Sequence, residues 1–314
     1  MRVLITGAGG FVGRHLAATA RDAGAVVVGL GRERPGSDAL SESHAVDLLD
    51  AGATGAAVAA AEPDLVFHLA ARASVAESWR APDVTLSENV VTTQHLLDAV
   101  RTRAPDAAVL VAGSGEQYGA PAPEDLPVSE LQPLRPLNPY ALSKAAAELV
   151  GGFFANAHGL RVVRTRAFNH AGPGQSQTYV VSALARRVAE AELENASGGP
   201  ATIDVGNTAA ARDFTDVRDV ARAYWSALQS GAAAVYNVCS GTATTVATLI
   251  ERLRTMTDLE IQTRTDPGLL RPQDVLEVRG SAAKLEAATG WRPEIPLDRT
   301  IADTLDWWRA ELGS

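Results

Sequence analysis

The chain has one cysteine, Cys239, among 314 residues, so no internal disulfide can form and no thiolate cluster can hold a metal. Cys239 is expected in the core. The six histidines are scattered without ligand spacing, and no metal is expected. Lysine is almost as scarce, since Lys144 and Lys284 are the only two and arginine supplies the remaining cations. No apolar run has bilayer length, and the opening "MRVLIT" reads as a strand rather than a cleavable leader, so neither a span nor a signal peptide is expected and the cytoplasm is the expected compartment. A net charge of -9 repels phosphate backbones and acidic membranes, which excludes nucleic acid and lipid as expected partners. Any bound phosphate then needs a local site.

What is present is a 46% hydrophobic, 21% charged composition, enough for one extended α/β domain or two closely joined ones. From the start to about residue 167 the runs "RVLIT", "AVVVGL", "DLVFHLA", "AAVLVAG" and "RVVRTRAF" alternate with helical stretches, the pattern of a parallel sheet covered on both faces. The fold class is therefore α/β, a Rossmann-type doubly wound parallel sheet over 1–167, with a smaller α/β substrate lobe over 168–314. The chain is expected to return to the first part around 207–238. In the second part "VVSALARRVAEAELE" reads as a helix, "ATIDVG" and "AVYNVCS" as strands, and 244–255 and 297–311 as helices. The segment "APAPEDLPVSELQPLRPLNP" has six prolines and is expected to be a loop across the mouth of the cleft between the parts.

"TGAGGFVG" places Gly7, Gly10 and Gly13 directly after the first strand and at the start of a helix, and Phe11 and Val12 between them are expected beside the cofactor. Glycines there permit a tight turn, close approach of a pyrophosphate to backbone N–H groups and packing of helix on strand. The spacing is GxxGxxG, and the strand-turn-helix context carries the inference of a dinucleotide. After the second strand, where an acidic residue would hold the 2′-hydroxyl of NAD, stand Gly31 and Arg32. An arginine without a nearby carboxylate suits a 2′-phosphate, which favours NADPH over NADH; the alternative is that Glu33 turns inward to do the acidic work. Asp47, followed by Leu48, is placed to accept from the adenine amino group, or Asp47 or Asp50 begins a helix.

"NPYALSKAAAELV" offers the sharpest chemistry. Asn138 suits a cap and Pro139 the first helical position, so Tyr140 and Lys144 lie four apart on one helix face. In a chain that otherwise uses arginine, a compact ammonium beside a phenol is expected to lower its pKa from about 10 toward neutrality for proton transfer.

Strand, "GSGEQYG", proline loop and "YALSK" together resemble the extended short-chain dehydrogenase/reductase superfamily, over the whole length of the chain. "RAFNHAGPGQSQTYVVSALARRVAEAE", "VGNTAAARDFTDVRDVARAYW", "VYNVCSG" and "LLRPQDVLEVRGSAAKLEAATGWRPEIPL" narrow the resemblance to the GDP-6-deoxy-D-mannose reductases and related nucleotide-sugar 4-ketoreductases. The resemblance implies a catalytic triad of Ser114, Tyr140 and Lys144, and it places Leu69, Ala70 and Ala71 of "HLAARASV" beside the cofactor. It also implies that Asn169, Arg212 and Arg271 face the substrate pyrophosphate and that Ser74 and Val180 lie near sugar and base. Arg212 has an alternative in an ion pair with Asp213 or Asp216, and His170 is expected to be a hydrogen-bonded turn residue. The implied substrate is a nucleoside-diphosphate 4-keto-6-deoxyhexose, reduced with NADPH by a homodimer.

Glu116 is the open question. A glutamate here removes a C5 proton in related 4,6-dehydratases, but the type that pairs Asp with Glu has two acids where this chain has Gly115 and Glu116. The turn after "FNH" is "AGPGQ" rather than Arg-rich and acidic. Glu116 is therefore expected to order the site or touch the sugar. A 4,6-dehydratase or a 4-epimerase with a retained cofactor is the nearest alternative, and a non-catalytic NADP-binding regulatory protein is the alternative of another class.

Overall fold

The five apolar runs of the first half become neighbours in one sheet because helices cover both of its faces. In chain order the elements are β1 (Arg2–Thr6), α1 (Phe11–Asp22), β2 (Val26–Gly31), β3 (Glu42–Ala45), α2 (Ala51–Ala61), β4 (Leu65–His68), α3 (Val75–Arg80), α4 (Pro82–Arg103), β5 (Ala108–Ser114), α5 (Pro139–His158) and β6 (Arg161–Ala167). There follow β7 (Asn169–Ala171), α6 (Val180–Glu194), β8 (Ala201–Val205), β9 (Ala211–Asp216), α7 (Val217–Gln229), β10 (Val235–Val238), β11 (Ala243–Thr245), α8 (Val246–Arg254), β12 (Ile261–Thr265), β13 (Glu277–Val278), α9 (Ala283–Thr289) and α10 (Leu297–Gly313). The computed structural model describes residues 1–195, 200–231, 233–269 and 275–313.

Seven strands form an all-parallel sheet in the order β10-β6-β5-β4-β1-β2-β3. Alternation along β1 divides its side chains between two cores: Val3 and Ile5 pack with Leu16, Tyr224 and Leu228 of α1 and α7, and Leu4 packs with Leu97, Val100 and Phe154 of α4 and α5. All three are fully buried, which is why the strand reads as one unbroken apolar run. β3 has no such run: "ESHA" is largely exposed at the sheet edge and gives no apolar signal.

The second half contains smaller sheets. β11, β9 and β13 are joined by β7 on β9, and β8 pairs with β12. Their core holds Leu184 and Val188 of α6, Phe214 of β9, Leu249 of α8, and Ile301 and Leu305 of α10. "VYNV" lies inside the stretch 207–238 expected to return to the first part, and it is the edge strand β10 of the large sheet, paired with β6. The returning segment is thus α7 and β10, while β9 stays with the small sheet.

The proline segment is irregular apart from one 3-10 turn at Pro123–Asp125. Its Val128 is fully buried and exchanges backbone hydrogen bonds with Arg279 and Ser281, tying the loop to the segment before α9. Asn138 Oδ1 then accepts the Ala141 N–H at 2.7 Å, Pro139 opens α5, and Gly159 closes it at φ 68°.

Candidate active site

At the carboxyl end of β1 the chain must turn sharply while keeping its backbone open. Gly7 does so at φ 69°, and a Cβ there would lie 2.8 Å from the Ala70 backbone nitrogen. A Cβ on Gly13 would collide with the Gly7 carbonyl, so helix and strand approach as closely as a pyrophosphate turn requires. No side chain caps the N-terminus of α1 at Gly10, which leaves backbone N–H groups for an anion. This cradle fits a dinucleotide. Phe11 stacks on His170 with ring centroids 5.9 Å apart, and Val12 packs on the core. Across the turn, Leu69 and Ala70 are half-buried and bond through their N–H groups to Thr6, while Ala71 is exposed.

The tip of β2 differs from its expectation. Arg32 is exposed, but its Nη1 lies 3.9 Å from Glu88 Oε2, which also accepts from Arg72 Nε at 2.9 Å. A carboxylate therefore does stand near Arg32, delivered by α4 from far along the chain. Glu33 is exposed rather than turned inward. Asp50 caps α2 by accepting the Ala53 N–H at 2.9 Å, whereas Asp47 is exposed and accepts only locally, from Leu49 N at 3.0 Å; Leu48 is buried.

Ser114, Glu116, Tyr140 and Lys144 converge between the end of β5 and the first turns of α5. Ser114 Oγ accepts the Glu116 N–H at 3.2 Å and opens the 3-10 turn Gly115–Tyr118, and its hydroxyl lies beside the Tyr140 phenol. Burial pushes the phenol well above its ordinary value; the Ser114 bond opposes this and the Glu116 charge adds to it. Burial likewise draws the Lys144 ammonium down to about 8, and Nζ donates to Ala112 O at 2.7 Å. The i,i+4 spacing placed both groups as expected, but the phenol is raised rather than lowered, because desolvation of the phenolate outweighs the other causes. A phenol so placed holds its proton at neutral pH and suits a proton donor.

Glu116 is half-buried, and its Oε2 accepts from Asn138 Nδ2 at 3.1 Å. A Cβ on Gly115 would lie 3.1 to 3.2 Å from the Phe168 ring. The glycine seats that ring, and any side chain there would press the ring back by a few tenths of an ångström.

The residues assigned to substrate come from separate elements, at α3, β7, α6 and β9. Ser74 Oγ accepts the Glu77 N–H at 3.2 Å and caps α3. Asn169 is exposed on β7, and the adjacent His170 bonds through Nδ1 to Phe168 O at 3.1 Å, hydrogen-bonded as expected but in the middle of strand β7, paired with Thr215 of β9, rather than in a turn. Val180 is half-buried as the first residue of α6. Arg212 on β9 donates to Val275 O at 2.7 Å. Its neighbour Asp213 accepts from the N–H groups of Ser240, Gly241 and Gly280, and Asp216 caps α7 and binds Arg218 and Thr300. Arg271 lies outside the described residues. Cys239 is buried and free. Among the described residues no His, Cys, Asp and Glu side chains gather as a metal site, and no helix is long and apolar enough to cross a membrane.

Sequence reasoning missed Glu88, and it missed a buried set beneath Ser114: Gln117, Glu148 and Arg166. The available signal was Glu148, four residues beyond Lys144 on α5.

Residues 4–304 match the family model described as GDP-mannose 4,6 dehydratase. The chain is 37% identical over 312 residues to GDP-6-deoxy-D-mannose reductase of Pseudomonas aeruginosa, covering 99% of this chain and 98% of that one. It is 29% identical to GDP-mannose 4,6 dehydratase 2 of Arabidopsis thaliana, across 85% of this chain and 72% of that one. Among solved structures it is similar to RMD from Pseudomonas aeruginosa complexed with NADPH, with a TM-score of 0.86 and 36% identity over 99% and 100% of the two chains. The UDP-glucose 4-epimerase of Thermotoga maritima with UDP-glucose gives a TM-score of 0.89 at 26% identity, over 99% and 100%. The glycine cradle, the Ser114, Tyr140 and Lys144 cluster and these full-length likenesses agree: the chain belongs to the GDP-mannose 4,6-dehydratase family of nucleotide-sugar enzymes, within the extended short-chain dehydrogenase/reductase superfamily.

Proposed function

We propose that the protein is a cytoplasmic, NADPH-dependent reductase of the C4 ketone of a nucleoside-diphosphate 4-keto-6-deoxyhexose. The observation that carries this reading over a 4,6-dehydratase with paired acids is Gly115: any side chain there would press on the Phe168 ring, and the neighbouring carboxylate, Glu116, is engaged by Asn138. The turn "AGPGQ" adds support, since it is docked on α1 through Arg14 to Gly174 O and His15 to Pro173 O, each at 3.1 Å, and offers no acid. A likeness to an NADPH-bound reductase across the full chain agrees with the choice of cofactor.

In this reading the glycine turn and the N-terminus of α1 hold the pyrophosphate, and Arg32 reaches the 2′-phosphate. NADPH, when bound, supplies the hydride that C4 receives. Ser114 donates a hydrogen bond to the ketone oxygen, and Tyr140 passes its proton to the same oxygen as charge develops on it, so ketone, hydride and proton balance as an alcohol. Lys144 is placed to hold the nicotinamide ribose and to return charge balance as Tyr140 ionises. Asn169, Arg212 and Arg271 bind the substrate phosphates, and Ser74 and Val180 line the sugar and base. A second copy of the chain would cover Leu142, Leu149 and Phe153, apolar side chains exposed along α5.

The test is incubation of the purified protein with NADPH and either the GDP- or the dTDP-4-keto-6-deoxyhexose, following absorbance and identifying the product by NMR. Stoichiometric loss of NADPH with formation of the 6-deoxyhexose is expected. Conversion of GDP-mannose to its 4-keto product with no net NADPH oxidation would establish the second reading, a dehydratase, which the retained Glu116 keeps in view.

A further inference from the structure

Gly113 on β5 lacks a side chain where another residue passes. A Cβ there would come within 2.6 Å of Gln117 Oε1 and would collide with Thr165 O. Lying across this glycine, Gln117 Oε1 accepts the Ser114 N–H at 2.7 Å, and Nε2 donates to Glu148 Oε2 at 2.7 Å. Glu148 is gripped from its other side by Arg166, with Nε to Oε2 at 2.9 Å and Nη2 to Oε1 at 2.7 Å. Arg166 Nη1 also donates to the Tyr118 hydroxyl at 2.8 Å, and that hydroxyl donates to Asn237 Oδ1 at 2.7 Å. Gln117, Glu148, Arg166, Tyr118 and Asn237 are all buried. A buried ion pair is poor evidence for stability, but a fully bonded one fixes geometry.

Glu148 follows Lys144 by four residues and Tyr140 by eight, so α5 presents phenol, ammonium and carboxylate along one side. We propose that Gln117, clamped by Glu148 and Arg166, is a positioning residue that fixes the Ser114 backbone and thereby aims the Ser114 hydroxyl at Tyr140. The helix that carries the proton donor then also sets the place of the donor's partner. Arg166 of β6 supplies the remaining part of the clamp, so the alignment does not depend on the 3-10 turn alone. The inference rests on the reading that Ser114 and Tyr140 act together on a ketone.

The experiment compares the parent enzyme with Gln117→Met, which keeps the volume and loses both hydrogen bonds. With a 4-keto sugar nucleotide, kcat should fall about tenfold while KM for substrate and NADPH stays within about twofold. In a Ser114→Ala background the same change should cost less than about twofold, because its route of action is already gone. A second readout needs no substrate: the Cζ NMR signal of labelled Tyr140 at neutral pH, identified as the one absent from the matching Tyr140→Phe protein, should move in Gln117→Met and stay put when the same change is made in the Ser114→Ala background. An equal tenfold loss with and without Ser114, or an unmoved Tyr140 signal in a folded variant, would overturn the proposal. Gln117→Leu, read the same way, serves if Gln117→Met does not fold. If the parent turns over no 4-keto sugar nucleotide, the functional reading fails, and the Tyr140 signal still decides the role of Gln117.

Discussion

The Glu116 carboxylate holds the side-chain amide of Asn138 at 3.1 Å, and the oxygen of that same amide caps α5 at Ala141, one residue beyond Tyr140. An acid that could serve as a base thus also fastens the start of the helix bearing the proton donor. Glu116→Gln keeps an acceptor for Asn138 and removes the base, so a reductase should lose no more than about tenfold in kcat. Deuterium incorporation at C5 of the sugar in heavy water, present in the parent and abolished in this variant, would make Glu116 the working base instead.

The choice of cofactor should depend on Arg32 and its competitor. The protein is expected to use NADPH well above NADH, and Arg32→Ala should erode that preference by about tenfold, the scale of one lost charged contact. Because Glu88 lies 3.9 Å from Arg32, removing its charge in Glu88→Gln should sharpen the preference rather than weaken it. Ratios of kcat/KM for the two cofactors measure both effects, and equal or better use of NADH by the parent would remove Arg32 from the role.

Gly115 should tolerate no side chain cheaply. Gly115→Ala presses a methyl group into the Phe168 ring, and a loss of about 1 to 3 kcal/mol in denaturant unfolding is expected. Gly115→Asp, which would recreate an acidic pair, should cost more and gain no dehydration. Full stability in Gly115→Asp would show that the pocket has room for a second acid.

What the sequence made legible was local. The glycine turn and the Tyr140 and Lys144 pair depend on spacing within a few residues, and a backbone requirement of that kind leaves a mark in the sequence. β3 left none, because an exposed edge strand needs no apolar run. The return of β10 to the large sheet was expected only as part of 207–238, because "VYNV" says that it is a strand and not which partner it pairs with. Glu88 beside Arg32 and Gln117 against Glu148 are contacts between separate elements, set by packing. The phenol's raised pKa was missed for a related reason: charge spacing was visible, and the burial that outweighs it was not.

Lys144 should weaken the folded state below about pH 8. Its folded pKa, about 8, lies below the ordinary value near 10.5, so between those values the unfolded chain binds the extra proton and stability rises with pH through that window. At pH 7 the full cost of burying the ammonium applies, roughly 3 kcal/mol before the bond to Ala112 O is credited. Lys144→Met should therefore raise the melting temperature at pH 7 while abolishing turnover. A lower melting temperature in a folded variant would contradict this.

The same lysine should shape the pH profile of the free enzyme. Tyr140 is raised, so the protonated donor persists through and beyond pH 8, and an alkaline decline near pH 8 in kcat/KM for NADPH cannot come from the phenol. It should come from Lys144 losing the charge that meets the nicotinamide ribose. Tyr140→Phe, which keeps the ring and removes the acid, should lower kcat by roughly 10² to 10⁴. Its residual activity should still decline near pH 8. Lys144→Arg, which stays charged, should lose that limb even if its absolute rate is poor. The two profiles measured side by side assign the groups: a limb that disappears in Tyr140→Phe and survives in Lys144→Arg would belong to the phenol, and the burial argument for Tyr140 would be wrong.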